Sequence, residues 1–493
     1  IGFFLGTLVP FRSKSLGACG AFFEGLLRGE GQSKLPPATH LWPALLAVVL
    51  YHVLALRALA AGWRPGVRRL FALGVGLNVA TVLVPPLTSA DVLMYAAYGR
   101  LQRLGRDPYT ITPAEVFRST FDPVLVHTER PWQDTPSVYG PIASWTQWLA
   151  NALGGDSMHA VVFWLQVLCV LPFLAIGALL VKMAHGDEAR QTRAVLLTVA
   201  NPLLIWAVVA GAHNEALTLV FAVCALFFVR RSAFVTGLFI GLAGAVKVSL
   251  VFYGVALVWG YRRDWRKVVA LGVGALIPLA LGYGLLAPEA LFAASRNTGY
   301  ISQGSWGAPV VYALDFVLPD PIARAVVTRL GWVLMIVVAW MLSRVVDWDP
   351  VPGAAAGARG TQVMRGQDDP LTVATRTALV LCAAWVISSP YSLAWYDLIA
   401  WAPLALLAPN RLDKILIVRG AALSIAYVTA RSVEFGPGMQ WASWLVRETL
   451  CSAVQFGVLA AVGWWWWRAG HELPTRRFVV QGWRALTRPS RSA

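Results

Sequence analysis

The sequence predicts an all-α, polytopic membrane protein, and three observations carry that prediction. Apolar runs of roughly 17–25 residues, the length a helix needs to cross a bilayer, recur along the chain. Of its 493 residues 57% are hydrophobic and only 13% charged, and the mean hydropathy is positive. Lysine and arginine gather in short clusters on alternate connections between the apolar runs, the pattern that fixes the orientation of membrane helices.

Taken in order, the candidate spans are 41–62, 69–87, 158–182, 194–210, 214–229, 233–246, 249–260, 268–287, 323–343, 373–389, 393–409, 412–430 and 448–467. The pair 233–246 and 249–260 is short for full crossings and reads as a broken or re-entrant hairpin. The expected total is eleven to fourteen helices. Residues 1–40 form an N-terminal segment in which the apolar stub Ile1–Phe11 reads either as a clipped helix or as a processed terminus. Residues 41–467 form the transmembrane domain, and 468–493 a basic tail suited to anionic lipid heads.

The clusters Arg64/Arg68/Arg69, Lys182/Arg190/Arg193, Arg230/Arg231, Arg262 to Lys267, Arg344 to Arg376, Arg411/Lys414/Arg419 and the tail all fall on one side of an alternating topology. That side is read as cytoplasmic, with the C-terminus on it and the plasma membrane as the location. A formal charge of +16 distributed this way reports orientation and excludes a nucleic-acid-binding face. The other side carries segment 88–157, with five Arg against seven Asp or Glu, and the loops 288–322 and 431–447. The longest internal cytoplasmic segment, about 344–372, is Gly/Ala-rich over Pro350–Gly360 and too short for a nucleotide-binding domain. Neither GxGxxG after a strand nor GxxxxGKS/T occurs. Chemistry is therefore expected at the external loops, where a membrane-borne donor supplies the activated group. Five scattered cysteines without CxxC or CxxH spacing indicate neither a disulfide framework nor a zinc site.

The polar positions single themselves out against this background. Asp91 follows the apolar run that closes on Pro85–Pro86–Leu87, and Ser89 is placed to cap a helix beginning there. That helix, Asp91–Arg106, reads as amphipathic and interfacial, with Leu93, Met94, Ala97, Leu101 and Leu104 against Arg100, Arg103 and Arg106. Asp91 is either a first-turn acid favoured by the helix dipole or a reactive carboxylate. Tyr95, Asp107, Tyr109, Trp132, Asp134 and Tyr139 supply the rings and polar groups that a sugar site or an interfacial anchor requires. His213–Asn214–Glu215 sits at the external turn of a helical hairpin. A carboxylate inside a membrane helix costs roughly 2.5–3.5 kcal/mol, so Glu215 is expected to face a wet cavity. Lys247, alone between apolar stretches, is expected to meet a lipid phosphate, as are Arg296 and Arg100. Ser388–Asp397 joins two spans with Trp395, Tyr396 and Asp397 placed to line the cavity, and Trp464–Trp467 reads as an interfacial anchor.

At these residues the chain resembles the bacterial polyprenol-phosphate-mannose-dependent α-1,6-mannosyltransferases, membrane enzymes of the glycosyltransferase C class. The matching pieces, in order, are Ser89–Val92 with Tyr95 and Gly99–Arg100, Asp107–Tyr109, Trp132–Thr135, Tyr139–Pro141, Asn201–Pro202, Gly211–Glu215, Lys247 and Ser389–Tyr396. Glu215 stands where the family pattern has aspartate. The resemblance implies a glycosyltransferase C-type bundle with an external first loop, a catalytic Asp91 in that loop, a polyprenyl-phosphate mannose donor and an α-1,6-mannan or lipoglycan acceptor. Displacement from a phosphate leaving group requires one general base and no general acid, unlike glycoside hydrolysis with its two carboxyls. No metal cluster or cofactor is implied, although a divalent ion between Asp91 and a phosphate is left open. The alternatives are another lipid-linked sugar, arabinofuranose or glucose, and a non-enzymatic lipid or sugar transporter.

Overall fold

The computed structural model describes residues 38–86, 88–130, 132–293, 299–352, 367–428 and 437–471. The Ile1–Phe11 stub, Arg296, most of the Gly/Ala-rich segment and the tail beyond residue 471 lie outside these. The described residues form helices and turns without a strand.

The helices are α1 (Ala38–Ala60), α2 (Val67–Val82), α3 (Asp91–Arg103), α4 (Pro113–Phe117), α5 (Pro141–Gly154), α6 (Met158–Met183), α7 (Glu188–Leu197), α8 (Glu215–Phe228), α9 (Ala233–Val246), α10 (Val251–Tyr261), α11 (Trp265–Leu279), α12 (Gly307–Leu314), α13 (Asp320–Val345), α14 (Pro370–Ser388), α15 (Leu398–Leu406), α16 (Arg411–Tyr427) and α17 (Cys451–His471). Among the described residues seven helical stretches are long and apolar enough to cross a membrane, and 215–228, 233–246 and 248–261 are shorter apolar helices. This is a multi-pass, all-α membrane protein. The difference from the expected eleven to fourteen spans has a physical origin. Hairpin α9–α10 is broken at Lys247, whose backbone is extended; α15 has nine residues; α16 carries Arg411, Asp413, Lys414 and Arg419.

Two ends of the bundle differ in chemistry. At one, Arg193 pairs with Asp413, Arg230 with Asp369 and Arg263 with Asp368, and Arg190 donates to the carbonyls of Pro350 and Leu406. At the other, the segments around Asp91, Tyr139, Lys247, Tyr300 and Trp395 converge, with His213 packed against Asp91 and Trp395. Close approach in the apolar middle comes from small residues. Gly237 and Gly241 of α9 face the backbone of Leu271 and Ala275 in α11, where any side chain would collide, as in small-residue packing of membrane helices generally.

Helix α3 does not present the half-exposed face expected of an interfacial helix. Every residue from Val92 to Leu101 is buried, because α3 lies against α5 and α6. Gly99 is in contact range of the Gln147 carbonyl, and Asn151 donates to the Ala96 carbonyl at 2.8 Å. Apart from Asp91 at its start, only the C-terminal turn, with Arg103 and Leu104, reaches solvent or lipid.

Candidate active site

The local chain directs Asp91 into a cavity. Two prolines end the approach from α2, and the Asp91 amide donates to the Ser89 hydroxyl at 3.1 Å. Ser89 thus braces the first turn, while Ala90 occupies the cap position itself. The Asp91 side chain keeps 27% of its exposure and lines a cavity of about 600 Å³ together with Trp132, Tyr300, Tyr391, Trp395 and Tyr427. A narrower recess of about 50 Å³ continues from Asp91 between Tyr95, Tyr139, Glu215, Lys247 and Tyr396.

Burial raises the Asp91 carboxyl to about 6; the Ser89 hydroxyl opposes the shift, the Glu215 charge adds to it and Lys247 opposes it. A carboxyl near 6 is an anion at neutral pH and still a competent proton acceptor. Beside it, His213 Nδ1 lies 3.6 Å from Asp91 Oδ2 and 3.4 Å from the Tyr95 hydroxyl. The imidazole stacks on Trp395 with centroids 3.8 Å apart. Burial, with Lys247 second, drives the His213 pKa well down, so the ring is neutral. His213 is presented by a strained turn. The π-helical turn Ile205–Val209 is followed by Ala212, the one non-glycine at positive φ (52°) among the described residues.

Lys247 ends α9 and bonds Glu215 Oε1 at 2.5 Å, with Nζ 4.5 Å from the Tyr396 ring centroid. The expectation that Lys247 is a cation without a carboxylate is thereby corrected: the partner, 32 residues away in sequence, arrives through the fold. Nε2 of His213, Oε2 of Glu215 and Nδ2 of Asn214 are buried without a hydrogen-bond partner, the kind of unsatisfied group that concentrates at functional sites.

Other expectations are redirected. Arg100 is not poised for a phosphate: Asp122 holds Nε at 2.7 Å and Asp156 holds Nη1 at 2.6 Å. Asp107 turns back onto the Tyr109 amide and the Thr110 hydroxyl, and both it and Tyr109 line a separate cleft with Trp145 and Glu289. Asp134 pairs with Arg118 at 2.8 Å, in the turn that carries Trp132. Asn214 is buried beside the site and lines neither cavity. Asp397, expected at the cavity, is buried against Arg419. Sequence reasoning missed Tyr300, Tyr427, Arg130, Arg324 and Arg447, which all line the larger cavity. The arginines did leave a signal, being basic residues on the side of the topology where basic residues are scarce. Among the described residues, no three His, Cys, Asp or Glu side chains converge as a metal site.

Residues 18–263 match the family described as alpha-(1->6)-mannopyranosyltransferase, N-terminal domain. The chain belongs to this mannosyltransferase family. Membership makes it a glycosyltransferase, and the matched residues contain Asp91, His213, Glu215 and Lys247. Alpha-(1->6)-mannopyranosyltransferase A of Corynebacterium glutamicum is 25% identical over 343 residues, covering 64% of this chain and 68% of that protein. Alpha-(1->6)-mannopyranosyltransferase B of the same organism is 29% identical over 223 residues, 40% of this chain and 36% of its own length. Alpha-(1->6)-mannopyranosyltransferase A of Mycobacterium tuberculosis is 27% identical over 253 residues, 47% of this chain and 48% of its own. No solved structure matches the chain. Trp395 and Tyr427 in the cavity and Tyr396 in the recess come from beyond the residues matched to this mannosyltransferase family, so the site is completed by the C-terminal half.

Proposed function

We propose that the chain transfers mannose from a polyprenyl-phosphate mannose donor to a growing α-(1→6)-mannan or lipoglycan acceptor, on the external face of the plasma membrane. The single observation that carries this reading is Asp91, a carboxyl raised to about 6 by burial, at the wall of an aromatic cavity. In the proposed step the Asp91 carboxylate takes the proton of the acceptor's 6-hydroxyl as that oxygen bonds to the donor's anomeric carbon. The bond from that carbon to the phosphate oxygen breaks, and its electron pair leaves with polyprenyl phosphate. Attack and departure on opposite faces invert the anomeric configuration. The stacked His213–Trp395 pair and the Tyr95 hydroxyl border the carboxylate and limit its rotamers. Trp132, with Tyr300 at 5.2 Å, offers ring faces to the apolar side of a pyranose. The basic clusters gathered at the opposite end of the bundle support the external placement of this cavity.

The test is cell-free transfer by the purified protein from polyprenyl-phosphate mannose, glucose and arabinofuranose to a defined α-1,6-mannoside, with linkage analysis of the product. Mannose transfer that creates an α-1,6 bond and vanishes in Asp91→Asn is expected. Transfer undiminished in Asp91→Asn, or no transfer from any donor, overturns the reading.

A further inference from the structure

The donor required by this reading carries a lipid-linked phosphate, and the site must hold that anion with a cation whose charge is not already spent. Four basic side chains expected or observed near the cavities have lost that freedom or lie on its rim. Lys247 is neutralised by Glu215 at 2.5 Å. Arg100 is held by Asp122 and Asp156. Arg324 grips Asp320 through two contacts of 2.9 and 2.8 Å. Arg130 is exposed. Arg447 differs from all of them. It is half-buried, lines the same cavity as Asp91, and has no ion pair among the described residues.

An uncompensated, half-buried guanidinium at a membrane boundary is costly, and an anion in the cavity removes that cost. Its setting is built rather than incidental. Arg447 lies on the π-helical turn Leu445–Leu450 that leads into α17, and such turns recur at functional positions. Tyr312 and Tyr427 flank it on the cavity wall, and neither carries a charge that would compete for the guanidinium.

We propose that Arg447 is the residue that binds the phosphate of the lipid-linked donor. The assignment rests on the proposed transfer reaction, and it moves the phosphate away from Lys247, whose pairing with Glu215 gives it the task of shaping the recess beside Asp91. The guanidinium fork suits a phosphate with two parallel N–H···O bonds in a way that an ammonium does not.

The experiment measures binding of three lipids to purified protein: polyprenyl phosphate, the neutral polyprenol of equal length, and an anionic phospholipid. Wild type, Arg447→Ala, Arg447→Gln and Arg447→Lys are compared, with donor and acceptor KM determined separately in the transfer assay. Expected is a loss of polyprenyl-phosphate affinity of about 10- to 100-fold in Ala and Gln, a smaller loss in Lys, and unchanged polyprenol binding. Donor KM rises in parallel while acceptor KM stays put. The polar, uncharged Gln variant carries the comparison if Ala does not fold. Unchanged phosphate affinity in the variants, or an equal loss for the anionic phospholipid, overturns the Arg447 assignment. Absence of transfer by the wild type instead overturns the enzymatic reading, and the binding series still judges Arg447.

Discussion

The raised carboxyl of Asp91 makes a quantitative prediction about pH. A carboxyl at about 6 instead of its ordinary 3.8 has its anion disfavoured in the folded protein by about 3 kcal/mol, at ~1.4 kcal/mol per tenfold. If Asp91 is the base, kcat/KM follows its deprotonated fraction: about 90% at pH 7, about 10% at pH 5, and falling roughly tenfold per pH unit below that. Burial pushes the His213 pKa well below the ordinary imidazole value, which separates its titration from this limb. The charges next to Asp91 give the sign of two further shifts. Glu215 raises the carboxyl and Lys247 lowers it, so Glu215→Gln moves the acid limb to lower pH and Lys247→Met moves it to higher pH. The same shift acts on stability. A raised carboxyl adds no penalty below 3.8, an increasing one up to about 6, and its full value above. Asp91→Asn is therefore expected to be more stable than wild type at pH 8, by up to ~3 kcal/mol, while losing transfer. The assay is initial-rate transfer from pH 4.5 to 8, paired with thermal unfolding in detergent. A flat rate profile down to pH 5, or an Asn variant less stable than wild type at pH 8, refutes the reasoning.

Three more outcomes follow from the ion pairs and packing. Arg100→Met leaves Asp122 buried without its partner and is expected to cost about 3–5 kcal/mol of stability, seen as a lower unfolding temperature with donor KM unchanged in the folded fraction. Arg419→Met strands the buried Asp397 at a similar cost of about 3–5 kcal/mol, and adding Asp397→Asn recovers part of it, so a double-mutant cycle measures the coupling. Gly99→Ala forces a methyl group into the Gln147 carbonyl, and thermal unfolding should show a loss of about 1–3 kcal/mol.

Much of this protein was legible in the chain alone. The alternation of apolar runs with basic clusters gave the multi-pass helical class, because bilayer thickness and orientation act on sequence windows without reference to tertiary contacts. The candidates Asp91, Tyr95, Tyr139, Glu215, Lys247, Trp395 and Tyr396 make up much of the lining of the recess beside Asp91, since a polar group placed at a membrane boundary stands out against an apolar background. Pairing was not legible. Lys247 reads as a lone cation until Glu215 is brought to it, and Arg100 reads as a phosphate ligand until Asp122 and Asp156 enclose it. Helix α3 reads as half-exposed from its alternation of leucine and arginine, yet α5 and α6 pack against it and Val92 to Leu101 are buried. Sequence fixes where charge and apolar surface occur along the chain; which charges cancel, and which is left to meet a substrate, depends on distances between segments that only the tertiary fold brings together.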